Sequence, residues 1–156
     1  MDLGARRAGV ADLDRLAALA AEAVAEQAEG RGGAIWARRE SRALPAADSL
    51  RAALEDADHL VLAGTIDEAI VGYAVAAVEV LRDGSSLGRV EDIYVEAEGR
   101  AVGLGEALID EIVAWCGERA CVGIDAFVLP GNRETKNFFE TFGFTARAIV
   151  VHRKLR

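Results

Sequence analysis

The chain has 156 residues, enough for one domain with a sizeable core, and 52% of them are hydrophobic, which excludes a disordered polymer. A formal charge of −8 excludes nucleic acid as a main partner, since phosphate binding needs a basic face, and it suits a cationic substrate such as an amine. No apolar run approaches the ~20 residues of a membrane span and the opening residues are charged, so no membrane segment is expected and a cytoplasmic location is.

Ala5 to Val10 reads as a short opening strand. Leu13, Leu16, Leu19, Ala20, Val24 and Ala28 then recur at helical spacing, with Asp12 as N-cap and the Gly30 region as the end. Gly30 to Ala47, which carries Trp36, Arg38, Arg39, Glu40, Arg42 and Pro45, is the least regular stretch. Asp48 to Asp56 is predicted as a second helix, capped by Asp48 or Ser49. His59 to Thr65 and Ala69 to Leu81 are apolar runs joined at Asp67-Glu68, the pattern of a β-hairpin, and a turn follows at Arg82–Ser86.

Val90, Ile93, Tyr94 and Val95 suit the next strand. From Gly103 onward Leu104, Leu108, Ile109, Ile112, Val113 and Trp115 return to helical spacing, with Gly117 as the break. Between the two lies Arg100-x-x-Gly103-x-Gly105. Glycines at a helix start let the backbone approach a ligand, and the first helical N–H groups have no internal partner. With the helix dipole these donors favour an anion, and Arg100 would add a fixed positive charge. The spacing is neither the six-position dinucleotide fingerprint nor a P-loop. Cys121 to Leu129 is predicted as a buried strand stopped by Pro130-Gly131, Asn132 to Thr141 as a helix, and Phe144 to Leu155 as the last strand. Cys116 and Cys121, the only cysteines, read as buried structural thiols. With His59 and His152 far apart, no metal site is expected.

Two blocks in this order carry a resemblance. Arg100-x-x-Gly103-x-Gly105 after the strand Glu91–Val95 is similar to the acetyl-CoA motif of the GCN5-related N-acetyltransferases, the GNAT superfamily. Asn132-x-x-Thr135-x-x-Phe138-Phe139-x-x-x-Gly143-Phe144 resembles that family's second block, Asn-x-x-Ala-x-x-Phe-Tyr-x-x-x-Gly-Phe. The resemblance implies one domain over residues 1–156 with an α/β (α+β) fold. Its central sheet would be mixed and mostly antiparallel, flanked by helices, with two parallel strands splayed at the CoA site.

The same resemblance implies acetyl-CoA as co-substrate, without a metal. Ile93, Tyr94, Val95, Arg100, Ala101, Val102, Gly103, Leu104, Gly105 and Glu106 would bind it, with Asn132, Lys136 and Phe139 from the second block. The Gly30–Ala47 segment, with Trp36, would line the acceptor pocket, and Tyr73 with it. An amine with a lysine-like pKa near ~10.4 must lose a proton before it attacks, so a carboxylate is useful beside it. Glu91 is the first choice for that base and Asp92 the second. Alternation along a strand sends the two to opposite faces unless a bulge intervenes. Phe139 stands where many family members carry a proton-donating Tyr. The expected function is direct acetyl transfer to a primary amine of a small molecule, in a protein that the resemblance allows to be a homodimer. A protein or peptide amine is an alternative acceptor. A non-catalytic acyl-CoA-binding module, motivated by Phe139, is the alternative from another class, and a purely oligomeric scaffold the third.

Overall fold

The computed structural model describes every residue from Met1 to Arg156. Strands β1 (Leu3–Arg7), β2 (His59–Ile66), β3 (Ala69–Val80), β4 (Ser86–Val95) and β5 (Cys121–Ala126) form one sheet in that spatial order. The first four pair antiparallel, and β4 and β5 run parallel. Helices α1 (Leu13–Ala28), α2 (Gly33–Arg39), α3 (Ala46–Glu55), α4 (Ala97–Arg100), α5 (Leu104–Glu118) and α6 (Arg133–Thr141) flank it. This is the mixed, mostly antiparallel α/β architecture that the motif order implied.

The central strands read as unbroken apolar runs because both of their faces are covered. Leu60, Leu62, Ala74 and Ala76 join Leu104, Leu108, Ile109 and Ile112 of α5 in one core. Their alternating neighbours Val61, Ala63, Tyr73 and Val75 join Leu13, Leu16, Leu19 and Leu50 of α1 and α3 in the other. Each large side chain so buried contributes roughly 1.5–3 kcal/mol. Asp67 and Glu68 both take positive φ, 48° and 71°, as a tight hairpin turn requires.

Several expectations need correction. The opening strand lies earlier than predicted, at Leu3–Arg7, and the predicted Asp12 cap makes no bond into α1. Asp12 instead accepts the Gly9 N–H at 2.8 Å and a two-pronged pair from Arg6. The irregular stretch contains α2, hidden by the low helix propensity of Gly32-Gly33. Gly33 has a packing reason, since a Cβ there would sit 2.1 Å from the Gln27 carbonyl oxygen. α3 begins two residues early, behind Pro45, with neither Asp48 nor Ser49 as its cap. Gly117 does not break α5; the helix ends at Glu118, and Ala120 turns the chain with φ +56°. β5 stops at Ala126 rather than Leu129.

Phe144 to Leu155 forms no strand. After the bond from Phe144 N–H to the Phe139 carbonyl, no backbone group of this segment pairs with another. A strand-like pattern needs an edge to pair with, and the pattern does not say where that edge lies.

Two irregularities open the site. β4 and β5 are in register from Ser86↔Cys121 to Val90↔Ala126 and no farther, so from Glu91 to Val95 the β4 edge has no neighbour on that side. Opposite β3, Val75 pairs with Asp92 but Ala76 with Val90, which leaves Glu91 as the extra residue of a β-bulge.

Candidate functional site

The bulge decides where the two candidate carboxylates point. Regular alternation would part them, yet Glu91 and Asp92 line the same cavity of about 90 Å³. Trp36, Glu40 and Arg42 from the stretch after α1 wall it, with Phe127 beyond the end of β5. Its neighbour, about 360 Å³, runs along the open β4 edge to the start of α5. Gln27, Ile93 and Thr135 line both cavities and mark where they join.

Asp92 and Glu91 have different surroundings. The Asp92 side chain is only 9% exposed and that of Arg42 10%. Arg42 Nε donates to Asp92 Oδ2 at 3.1 Å, Arg42 Nη2 donates to Oδ1, and the Tyr73 hydroxyl donates to Oδ2 at 2.6 Å. Burial works against the Arg42 charge, but Asp92 and Glu91 outweigh it and hold its pKa above the ordinary value. Burial, then the Asp92 charge, pushes Tyr73 well above an ordinary phenol. Tyr73 is therefore a fixed donor, spent on Asp92 rather than offered to an acceptor. Glu91 is held more loosely: Oε1 lies 3.3 Å from Arg42 Nη2 and 3.4 Å from His59 Nε2, and Oε2 lies 3.4 Å from Arg89 Nη2. On the far side of the His59 ring, Nδ1 is 3.0 Å from Asp56 Oδ2 but poorly aligned, and it is buried without a hydrogen-bond partner.

The second cavity meets the glycine turn. Gly103 takes φ +90°, a conformation that disfavours any side chain, and places the α5 start against the cavity. Val102, Gly103, Gly105 and Glu106 have N–H groups with no backbone acceptor. These free donors fit a pyrophosphate. The other charges there do not all help. Arg100, expected to add a free positive charge, donates to the Val95 carbonyl at 2.6 Å and to both Glu26 oxygens at 3.1 and 3.0 Å. Glu26, Glu106 and Glu134 all line the same cavity.

The remaining predicted residues divide. Ile93, Tyr94, Val95 and Asn132 line this cavity. Burial, then Glu26, raises the Tyr94 pKa to about 12. Asn132 caps α6, its Oδ1 accepting the Thr135 N–H at 3.1 Å, which leaves the amide nitrogen for a ligand. Leu104 is fully buried beneath the sheet and can offer only backbone, and Ala101 and Val102 likewise line neither cavity with side chains. Lys136 is also outside both; it pairs with Glu140 at 3.0 Å on the exposed side of α6. Phe139 is buried edge-on against Phe138 and Phe144 and shows itself to the smaller cavity.

Sequence reasoning missed Gln27, Arg42, His59 and Thr135 as site residues. Arg42 lay in the segment singled out for substrate contacts, but its partner is 50 residues away. The Thr135 hydroxyl, which makes no hydrogen bond to protein, lies one turn before Phe139, and only the fold puts it beside Gln27.

Comparison with known proteins gives a family and a fold. A sequence model described as the acetyltransferase (GNAT) family matches residues 21–144. A point-mutant protein from Bacillus halodurans superposes with a TM-score of 0.82 at 21% identity, over 100% of both chains. Glucosamine-6-phosphate N-acetyltransferase from Arabidopsis thaliana gives 0.72 at 16%, again over 100% of both. AAC(6')-Iy, solved with the bisubstrate analogue CoA-S-monomethyl-acetylneamine, gives 0.74 at 17%, over 100% of this chain and 99% of that one. At these identities the likeness is one of fold.

Proposed function

Since this chain belongs to the GNAT acetyltransferase family, we propose that it transfers an acetyl group from acetyl-CoA directly to a primary amine of a small molecule. The observation that carries this reading is the joining of two unlike cavities, one floored by free backbone donors and the other by carboxylates, at Gln27, Ile93 and Thr135. Acetyl-CoA supplies an activated thioester at that junction. The N–H groups at the start of α5 hold its pyrophosphate, and the unpaired β4 edge offers backbone partners to its pantetheine arm.

Glu40, Glu91 and Asp92 line the smaller cavity with Arg42, while Arg39 and Arg89 pair with Glu40 and Glu91 from outside its lining, so carboxylate oxygens are the acceptors an entering ammonium group meets. Glu91 accepts the ammonium proton, directly or through water, so that the neutral amine attacks the thioester carbonyl. His59 and Asp56 lie behind Glu91 and lead toward the surface. Asp92 keeps Arg42 and Tyr73 in place and is not the base. Thr135 and Gln27 can donate hydrogen bonds to the thioester or the departing thiolate. A thiol pKa near ~8.5 makes that help sufficient without the missing Tyr. The enclosed part of the cavity suits an aminoalkyl group, with the rest of the acceptor lying over Trp36 and Phe127.

Phe139 favours a second reading, a protein that binds acyl-CoA without turnover. The cytoplasm, where acetyl-CoA is available, is the proposed location, and a homodimer the proposed assembly. The test is calorimetry with acetyl-CoA followed by thiol release across a panel of small amines and peptides. Binding with turnover on small amines is expected. Turnover on peptides alone would move the acceptor class, and binding without turnover would favour the second reading. Gly103→Asp, which forces a side chain onto φ +90° and a negative charge into the cradle, should weaken binding at least roughly tenfold, about 1.4 kcal/mol.

A further inference from the structure

His59 lies outside both cavities, between two carboxylates. Its Nε2 is 3.4 Å from Glu91 Oε1, and its Nδ1 is 3.0 Å from Asp56 Oδ2. A neutral imidazole has one N–H and one lone pair, so one of its nitrogens must turn a lone pair toward a carboxylate. Only the imidazolium can donate on both sides. The buried Nδ1, which has no hydrogen-bond partner, marks that conflict. A ring so placed has a use for one more proton than its neutral form carries.

Three strands bring the ring to Glu91. His59 opens β2 and faces Ala77 of β3, which in turn faces Arg89 of β4. Ala77 is buried and puts only a methyl group in the way, so the imidazole and the Glu91 carboxylate meet across the strand between them. The charged groups around the ring come from several elements. Asp56 and Asp58 belong to the turn after α3, and Arg119, beyond α5, is 3.0 Å from Asp58. Arg89 and Glu91 belong to β4; Arg89 also reaches Glu79 of β3 at 3.5 Å, and Arg42, from the stretch before α3, reaches Glu91 at 3.3 Å. The Asp58 N–H first, and the His59 ring with it, hold the Asp56 carboxyl below its ordinary value. Asp56 therefore stays charged and steadies an imidazolium without taking its proton.

We propose that His59 takes from Glu91 the proton that Glu91 removes from the acceptor ammonium, and passes it to solvent. Each step moves one proton. The ammonium N–H breaks as a Glu91 O–H forms, and that O–H breaks as His59 Nε2–H forms. The imidazolium, held by Asp56, then loses one ring proton to water, which leaves Glu91 ionised for the next amine. His59 touches no substrate and acts through Glu91. With donor and acceptor filling the cavities, Glu91 is covered on their side, and the His59 ring, 23% exposed, is the way out. The role in turnover rests on the acetyltransferase reading; the proton exchange between His59 and Glu91 does not.

Nitrogen NMR of His59 in the full chain needs no substrate. The pH at which Nε2 gains its proton should fall in Glu91→Gln, because a carboxylate beside the ring favours its charged form and an amide does not. An unchanged midpoint would overturn the proposal. With acetyl-CoA and an accepted amine, His59→Ala should lower kcat about tenfold with both KM values unchanged, and added imidazole should restore most of it. His59→Gln fills much of the ring's space and keeps an N–H but takes up no proton, so it should show the same loss without rescue. It should also lack the fall in kcat that the wild type shows as histidine gains charge between about pH 8 and about pH 5. Full activity in His59→Gln would overturn the relay, since the ring would then be a spacer. A shifted midpoint in a protein that acetylates no amine would uphold the proton exchange and sink only the enzymatic reading.

Discussion

Glu91 and Asp92 are neighbours with different surroundings, and the difference of burial and partners is what assigns them different proposed roles. Asp92 is nearly enclosed and answers a guanidinium and a phenol that have no other carboxylate so close. Asp92→Asn should therefore act on the fold, leaving the Arg42 charge buried and poorly paired at a cost of about 3–5 kcal/mol, read as a fall in Tm. Glu91→Gln should leave Tm nearly unchanged and lower kcat by at least about 10²-fold with CoA affinity intact. Equal loss of Tm in both variants would refute this division. At the other cavity, Glu106 places a negative charge in the first turn of α5, beside the N–H groups proposed to hold phosphate. Glu106→Gln should tighten CoA binding about two- to fivefold, while removing a favourable helix-dipole contact worth about 0.3–1 kcal/mol of stability. Calorimetry and thermal melting together separate the two effects.

Elements reach the site only through particular joints. α2 carries Trp36 to the smaller cavity, and it can lie where it does because Gly33 presents no side chain to the end of α1. Gly33→Ala should displace α2, cost about 1–3 kcal/mol by overpacking, and raise the amine KM more than that of acetyl-CoA. A second joint ties β1 to the start of α1. Arg6 first, then the Gly9 N–H, lowers the Asp12 pKa from 3.8 to about 2. Because the folded-state value lies below the unfolded one, Asp12 contributes its stability in full above about pH 4 and loses it as pH falls toward 2. Acid denaturation of Asp12→Asn, followed by circular dichroism, should be correspondingly less steep between about pH 4 and pH 2.

At the scale of the whole molecule, a chain of net charge −8 should, on the proposed function, attract cationic amines over distances that salt can screen. Raising ionic strength from about 0.05 M to about 0.5 M shortens the Debye length to a few ångströms, so kcat/KM for a polyamine should fall roughly tenfold. A neutral-bodied monoamine should respond less. Steady-state rates for the pair of acceptors at both salt concentrations check this, and equal responses would remove long-range attraction from the account.

The sequence by itself determined what depends on neighbours along the chain. Hydrophobic period placed the central strands and α1, α5 and α6, because a strand or helix shows its buried face at fixed spacing. The turn with free N–H groups was legible because those groups belong to consecutive backbone around Gly103, and Asn132 was legible as the residue that starts α6. Only the tertiary structure decided what depends on residues brought together from afar. The bulge that turns Glu91 into the cavity with Asp92 comes from the register against β3, which neither strand specifies alone. Arg42 reaches Asp92 across 50 residues and so ties Asp92 down while leaving Glu91 more loosely held. Arg100 looked free for phosphate until α1 brought Glu26 to it, 74 residues away. The segment after Phe144 has the composition of a strand, but a strand exists only where an edge receives its hydrogen bonds, and that is a property of the assembled sheet.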